Sequence, residues 1–272
     1  MQVYRGMDIG TAKPTPEDRA RVPHHLVDMV DPEEDFTVAR FQSAGRSVLA
    51  GLDAAGVPAL VAGGSGLHFR ALVDPLDFPP SDAAVRALFD ALDPEQAAAV
   101  LVEEDPGAAD HVDLGNPRRV TRALEIMELT GATPSQRAVS PAGRAVRSYE
   151  AEIPVAAVGL DPGDGLEERV RRRTDAMLAA GLLDEVRRLG SRLGLTARQA
   201  VGYKELLPVV AGEATLDEGR EAMIRATLAL AKRQRTYFRR DPRIRWLAWH
   251  DDPDRRAGAA EQALGEAVPW IS

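Results

Sequence analysis

The chain has 272 residues, 44% of them hydrophobic, and a formal net charge of −8. This length can bury one large core or two smaller ones. The sequence contains no cysteine, which excludes disulfides, thiolate metal sites and a thiol nucleophile. Because no apolar run approaches about 18 residues and no secretory leader opens the chain, we expect a cytoplasmic protein with no membrane partner. The acidic balance, taken alone, argues against nucleic acid as a partner.

The first third of the chain predicts elements of an α/β fold. It opens with MQVYRGMDIGTAKP at residues 1–14, a segment crowded with polar side chains and glycine. Residues 37–55 have the cap and apolar spacing of a helix. The short apolar run VPALVA at 57–62 predicts a buried strand, and the GGSG sequence at 63–66 then leads into a helix over 67–73. A strand, a glycine turn and a helix in succession are typical of parallel α/β folds.

The rest of the chain predicts a helical insertion and a return to the core. The proline-rich stretch 74–82 marks a boundary, after which the apolar spacing is helical. Strand character returns over 148–161, and the remainder is mostly helical. The predicted domains are a first part of the core at 1–74, a helical insertion domain at 75–147 and a second part of the core at 148–272.

The GGSG turn has two interpretations. It could direct backbone N–H groups at a phosphate near a helix N-terminus, or it could be an ordinary tight turn. The sequence alone leaves both open. The more specific P-loop pattern, G-x-x-x-x-G-K-[ST], does not occur in the chain.

Two predicted helices carry arginines one turn apart. In the first helix Arg118 and Arg122 share a face, with Arg119 beside them. In the second, Arg169 and Arg173 align, and two guanidinium groups at that spacing can clamp a diphosphate. Without further context, a solvated basic face is the preferred interpretation of both patterns.

A third basic cluster, KRQRTYFRRDPRIR at 232–245, ends a long predicted helix that begins with the capping-box sequence TLDE. Basic residues interleaved with Tyr237 and Phe238 suit a sugar-phosphate backbone with bases stacked on the rings. A solvated helix end rarely collects so many cations beside two aromatics, so the sequence favours nucleic-acid binding here.

Six segments together resemble the tRNA dimethylallyltransferases (tRNA isopentenyltransferases) over nearly the whole chain: MQVYRGMDIGTAKP, VPHHLVD, GGSGLHFRAL, NPRRVTRALEI, AVGYKEL and AKRQRTYFRR. The resemblance implies transfer of a dimethylallyl group from dimethylallyl diphosphate to N6 of adenosine 37 in tRNA. It implies Mg²⁺ as the metal, with ligands that the sequence leaves unknown, and the anticodon stem-loop as the part of tRNA that is bound. The fold implied is a P-loop-kinase-like α/β core, built on a parallel sheet, with a helical insertion domain. We expect a monomer.

The resemblance also implies three sets of site residues. Arg173, together with Arg169, faces the diphosphate. The opening segment lines the reaction channel and binds substrate through Gln2, Tyr4, Asp8, Thr11 and Lys13. The largest set contacts the tRNA: Met1, Gln2, Ser65, Gly66, Arg86, Arg118, Arg119, Arg122, Gln199, Gly202, Tyr203, Lys204, Lys232, Arg233, Gln234, Tyr237 and Arg239.

The sequence departs from the family pattern in three places. His68 replaces a tyrosine, and Tyr237 stands where tryptophan is usual. The largest departure is at the start, since the family has a first βα unit with a P-loop, a second strand and a general-base Asp before the position of Met1. We therefore expect a truncated chain of low stability and little activity. An upstream reading frame that encodes a G-K-[ST] loop would support this.

Two further hypotheses remain open. The chain could be a non-catalytic tRNA-binding remnant, which a dimethylallyl transfer assay would distinguish from an enzyme. It could instead be a P-loop small-molecule kinase or an adenylate isopentenyltransferase that uses free nucleotide. The basic and aromatic run at 232–239 argues against both of the latter, and binding to an anticodon stem-loop tests them.

Overall fold

The computed structural model describes residues 1–267. Its α-helices are α1 (Pro16–Arg21), α2 (Val38–Ala54), α3 (Gly66–Val73), α4 (Ala83–Asp90), α5 (Pro94–Glu104), α6 (Pro117–Thr130), α7 (Pro134–Val139), α8 (Pro141–Ser148), α9 (Leu166–Ala179), α10 (Leu182–Leu189), α11 (Tyr203–Val210), α12 (Leu216–Phe238) and α13 (Pro253–Ala267). The strands are β1 (Ala157–Asp161) and β2 (Ile244–Ala248), and short 3-10 helices span Ala108–Asp110, Gly190–Arg192 and Ala197–Gln199.

The chain divides into two compact units, one of residues 1–72 with 155–272 and one of residues 73–154. The first unit contains a small sheet in which β1 and β2 pair in parallel, from Ala157 opposite Ile244 to Asp161 opposite Ala248. The chain therefore has the predicted mixture of helices and parallel strands. The P-loop-kinase-like form of the core, with its first βα unit missing, stays a prediction.

The predicted strand at 57–62 is wrong for this structure. The segment has no regular secondary structure, no described residue pairs with it in a ladder, and its apolar side chains face solvent, with Leu60 83% exposed. A strand is held by ladder hydrogen bonds to a neighbour, which this run does not have here. The strand predicted within 148–161 is present, but it is limited to the five residues of β1. Strand β2, a five-residue run that directly follows basic sequence, was not predicted from the sequence.

The helix ends follow their sequence signals. In α6 the Asn116 side chain accepts from the backbone N–H of Arg119, and Gly131 closes the helix at a φ of 69° that favours glycine. In α12 Thr215 and Glu218 form the predicted capping box. Each unit has its own apolar core, the first around Met7, Leu182, Val186, Leu206 and Met223, and the second around Leu101, Val120 and Leu124.

Within residues 1–267, none of the helices combines the length and the apolar character that a bilayer crossing requires.

Candidate functional site

The opening segment folds into a loop that its own side chains hold together. Gln2 Nε2 donates to the carbonyl oxygens of Thr11 (3.1 Å) and Ala12 (2.9 Å). The Thr11 hydroxyl donates to the Met7 carbonyl oxygen at 2.6 Å. Gln2 and Thr11, both predicted to bind substrate, therefore shape this loop, while Met1 is 45% exposed at its edge.

Lys13, predicted only as a substrate contact, has a structural role in the opening loop. Its side chain is only 4% exposed, and Nζ donates to the Tyr4 carbonyl oxygen (2.8 Å), Asp8 Oδ1 (2.6 Å) and Asp28 Oδ1 (2.6 Å). An ammonium group has three donors, and these contacts use all of them. Burial opposes ionisation of Asp28, but hydrogen bonds from Lys13 and Arg19 lower its pKa below the usual value. Lys13 thus holds the loop rather than offering a free cation.

Two tyrosines predicted as contacts are placed in the core instead. Tyr4 is 1% exposed and Tyr203 is 0% exposed, and both belong to the apolar cluster of the first unit. Burial, followed by the hydrogen bond to Glu185, raises the pKa of Tyr203. Neither phenol can reach a substrate from this position, so we correct both assignments to structural ones.

Three other predicted tRNA contacts adjoin Tyr203. Gly202 is buried and precedes α11 at a φ of 97°, a conformation that favours glycine. Gln199 and Lys204 are exposed on either side of it. Of this segment, these two side chains are available to a partner.

The glycine turn GGSG lies against the end of α12, which brings two predicted tRNA segments together. A Cβ at Gly66 would lie 2.1 Å from Tyr237 Cδ1, and one at Gly64 would lie 2.4 Å from Gln234 Nε2. A side chain at Gly64 would displace the Gln234 amide and one at Gly66 would displace the Tyr237 ring, so close packing favours glycine at both positions, independently of any phosphate. Ser65 Oγ lies 2.7 Å from His68 Nδ1, and burial lowers the pKa of that histidine.

The basic residues at the end of α12 differ in their exposure and in their ion-pair partners. Lys232 and Arg233 are exposed, and Tyr237 is 39% exposed. Arg239 donates to Asp161 Oδ2 at 2.7 Å, and Arg235 reaches the same oxygen at 3.4 Å. A hydrogen bond from the Gly163 N–H, followed by one from Arg239, lowers the pKa of Asp161. The predicted contact of Arg239 with tRNA thus competes with an ion pair inside the protein.

In the second unit, two predicted tRNA contacts hold a buried carboxylate that the sequence analysis did not single out. Glu125 Oε2 accepts from Arg86 Nη2 (2.6 Å) and Arg122 Nη1 (2.7 Å), and its Oε1 accepts from the Ser81 hydroxyl (2.7 Å). Arg122 also donates to two proline carbonyl oxygens. Arg86 and Arg122 are therefore ion-paired with Glu125, and their contact with tRNA stays a prediction.

The other two arginines of this cluster differ from that pair. Arg118 and Arg119 are exposed, and Arg119 lies 4.0 Å from the carboxylate of Asp113. These two fit the predicted basic face of α6.

The two arginines predicted for the diphosphate lie on α9, one turn apart. Arg173 is exposed. Arg169 packs over the Trp249 ring at 4.7 Å, donates to the Pro162 carbonyl oxygen and lies 3.9 Å from Asp251. It lines a cavity of about 590 Å³ beyond the carboxyl ends of β1 and β2, where ligands commonly bind in parallel α/β sheets.

The residues described here do not form a metal site of their own. Within residues 1–267, no group of three or more His, Cys, Asp or Glu side chains is arranged to hold a metal ion. Mg²⁺ in nucleotide and phosphate enzymes commonly takes one or two carboxylates plus substrate phosphates. The described side chains therefore do not fit a Mg²⁺ cage made of protein alone.

The matched family model is that of the IPP transferases, and it covers residues 2–241. A tRNA dimethylallyltransferase from Thermobifida fusca is 46% identical over 263 residues, which are 93% of this chain and 79% of the relative. One from Streptomyces coelicolor is 43% identical over 256 residues, 91% of this chain and 80% of the relative.

Solved structures agree with these relatives. The full-length tRNA isopentenylpyrophosphate transferase from Bacillus halodurans aligns with a TM-score of 0.66 at 34% identity, over 97% of this chain and 86% of that one. A eukaryotic dimethylallyltransferase acting on tRNA aligns with a TM-score of 0.74 at 25% identity, over 96% and 70%.

Proposed function

Because the chain belongs to the IPP transferase family, we propose that it transfers a dimethylallyl group from dimethylallyl diphosphate to N6 of adenosine 37 in tRNA. The product is N6-dimethylallyladenosine. The acceptor is bound through its anticodon stem-loop, and the protein acts as a monomer. The names of the relatives from Thermobifida fusca and Streptomyces coelicolor support the transfer to tRNA.

The observation that carries the proposal is the surface at the end of α12. Exposed Lys232 and Arg233 precede the half-exposed ring of Tyr237, and the GGSG turn lies directly against that ring. Cations of this kind neutralise a phosphate backbone, and an aromatic ring stacks on an unpaired base. An anticodon loop offers unpaired bases, so the target adenine leaves its stack at small cost.

The chemistry balances without a covalent enzyme intermediate. The bond between the allylic carbon and the diphosphate oxygen breaks, and its electron pair leaves with the diphosphate. The N6 lone pair forms the new bond to that carbon, and the N6 proton passes to a base. Arg169 and Arg173 stabilise the negative charge that grows on the diphosphate. We assign no described carboxylate to the proton, because Asp8 in the opening loop is ion-paired with Lys13 at 2.6 Å.

Magnesium stays a proposal that no step above depends on. We propose that Mg²⁺ accompanies the diphosphate of the substrate, because the described side chains do not fit a protein-only site. When bound, the ion would offset charge on the diphosphate oxygens.

A transfer assay with two acceptors and a control without acceptor tests the function. The chain is incubated with Mg²⁺ and dimethylallyl diphosphate labelled in the allyl group, together with tRNA, with AMP or with no acceptor. We expect label in tRNA only, at a slow but measurable rate. Label in AMP would indicate an adenylate isopentenyltransferase. Tight binding of the stem-loop with no label in tRNA would indicate a non-catalytic tRNA-binding protein, and neither binding nor transfer would overturn both tRNA functions.

A further inference from the structure

Glu185 is a buried carboxylate on α10 whose partners belong to two segments that the resemblance implies as substrate or tRNA contacts. Its Oε2 accepts from the backbone N–H groups of Asp8 (3.0 Å) and Ile9 (2.9 Å). Its Oε1 accepts from the N–H of Gly10 (3.1 Å) and from the Tyr203 hydroxyl. The residue is 2% exposed. One carboxylate thus joins the opening loop, α10 and α11.

These bonds fix the loop backbone rather than one side chain. Hydrogen bonds to an ionised acceptor are stronger than those between neutral groups, and three successive N–H groups point at the same carboxylate. A Cβ at Gly10 would lie 2.5 Å from Tyr203 Cε2, so the loop backbone also rests directly on that ring. The loop is therefore seated on a rigid, apolar part of the first unit.

The same seating determines what the loop presents to solvent. The N–H of Asp8 points inward to Glu185, while its carboxylate is 55% exposed and bonds to Lys13. Glu185 holds the backbone N–H groups of the loop on its buried side, and Lys13 holds the Asp8 carboxylate. The outer side of the loop, which carries Asp8, is the side open to a ligand.

We propose that Glu185, braced by Tyr203, is a positioning residue for the transfer reaction, and that it holds the backbone of residues 8–10 in the conformation that receives tRNA and dimethylallyl diphosphate. This inference rests on the proposed function. A loop that must be ordered during binding lowers the apparent affinity, and a loop that is ordered imperfectly misaligns the reacting atoms. Glu185 removes both costs before the substrates arrive.

Three variants separate this role from plain stability. E185Q keeps the shape of the side chain but replaces one of its two acceptor oxygens with an NH2 donor, so at least one loop N–H group loses its acceptor. Y203F removes one hydroxyl and leaves the ring under Gly10. D105N is the matched control, because Asp105 is a buried carboxylate that accepts from two backbone N–H groups and the Ser135 hydroxyl in the other unit.

The first measurement is amide hydrogen exchange of a peptide covering residues 7–13, at a temperature well below the Tm of every variant. We expect E185Q to exchange at least about tenfold faster than the wild-type chain, with Y203F between them. D105N should exchange in this peptide as the wild-type chain does. Adding an anticodon stem-loop should slow the exchange of E185Q again, because binding then orders the loop.

The second measurement is the Kd for the stem-loop and the transfer rate at saturating substrates. We expect E185Q to weaken binding about threefold and to slow transfer about tenfold. D105N should leave the Kd and the transfer rate within about twofold of the wild-type values, even if its Tm falls as much as that of E185Q. This split identifies positioning, because a purely structural loss would affect both variants alike.

Two results would overturn the proposal. One is that residues 7–13 of E185Q exchange as slowly as in the wild-type chain. The other is that they exchange faster while the Kd for the stem-loop and the transfer rate are unchanged. If E185Q does not fold, Y203F decides in the same way, with smaller changes in the same directions. A wild-type chain that neither binds nor transfers would refute the proposed function and this role with it. The exchange measurement needs no RNA, so it tests the hydrogen bonds between Glu185 and residues 8–10 even if the proposed function is wrong.

Discussion

At the scale of single residues, Glu125 joins two helices of the second unit through a fully buried carboxylate. Its partners lie on α6, on α4 and in the turn before α4, where the N–H of Asp82 also donates to it at 2.9 Å. Burial alone would raise the pKa of Glu125, but hydrogen bonds from two arginines, a serine and a backbone N–H lower it from 4.5 to about 2. The folded state therefore favours the ionised carboxylate.

E125Q should lower the free energy of unfolding at neutral pH by about 2 kcal/mol. The pKa change corresponds to about 3 kcal/mol, and solvent screening of the half-exposed Arg86 reduces it. Because the folded-state pKa is depressed, this contribution is present above pH 4.5 and is lost as the pH falls toward 2. Urea unfolding of the wild-type chain and E125Q from pH 7 to pH 2.5 measures it.

The control for this prediction is E128Q, which removes an exposed carboxylate from the same helix. It should change stability by no more than about 0.5 kcal/mol. A stability difference between the wild-type chain and E125Q that stays constant down to pH 2.5 would contradict the assigned linkage.

At the scale of elements, the contact of α3 with α12 depends on the missing side chain of Gly66. G66A would place a methyl group against the Tyr237 ring, and we expect a loss of about 1 kcal/mol because the half-exposed ring can swing outward. In a Y237A background the same substitution should be neutral or stabilising, since alanine favours helix over glycine. Urea unfolding of the double-mutant cycle measures this coupling.

G51A is the matched control for the glycine prediction. Gly51 lies in α2, and an added Cβ there meets no atom within 4 Å. We expect a gain of about 0.5 to 1 kcal/mol from helix propensity alone. An equal cost of G66A with and without Tyr237 would show that the two helices are not coupled through this contact.

The second element-scale prediction concerns the RNA surface at the end of α12. Replacing Lys232 and Arg233 by alanine should weaken stem-loop binding and reduce the salt dependence of log Kd by about 1.5, since two phosphate contacts are lost. R239A should change the slope less, because Asp161 already binds that guanidinium. Fluorescence anisotropy at several salt concentrations measures the slopes.

R225A tests whether net charge alone explains such an effect. Arg225 is exposed on the same helix but lies before the basic run. Its removal should leave the slope nearly unchanged. Identical slopes for R225A and the Lys232 and Arg233 variant would refute the assignment of this surface.

At the scale of the whole molecule, the sequence predicted what depends on near neighbours. The caps of α6 and α12 lie within one helical turn of the residues they cap, so composition and spacing reveal them. Glu185 and Asp8 are 177 residues apart, and Glu125 lies 39 residues from Arg86. Local patterns carry no information about such partners, so both buried carboxylates were missed.

The same reason accounts for the two errors in strand prediction. An apolar run such as 57–62 has the composition of a strand, but pairing depends on a neighbour elsewhere in the chain. The five residues of β2 find that neighbour in β1, which is distant in sequence. For the site, the segments that the resemblance implies as substrate and tRNA contacts stay a prediction. The resemblance could not show that Lys13, Arg86 and Arg122 are already occupied by carboxylates of the protein itself.

The most direct test of the proposed function is the position and identity of the modified nucleoside. Two anticodon stem-loops that differ only at position 37, one with adenine and one with guanine, are incubated with the chain, Mg²⁺ and dimethylallyl diphosphate. The RNA is then digested and analysed by liquid chromatography and mass spectrometry. We predict N6-dimethylallyladenosine from the adenine stem-loop and none from the guanine one. Equal modification of both RNAs, or no modification of either under conditions in which both are bound, would contradict the proposal.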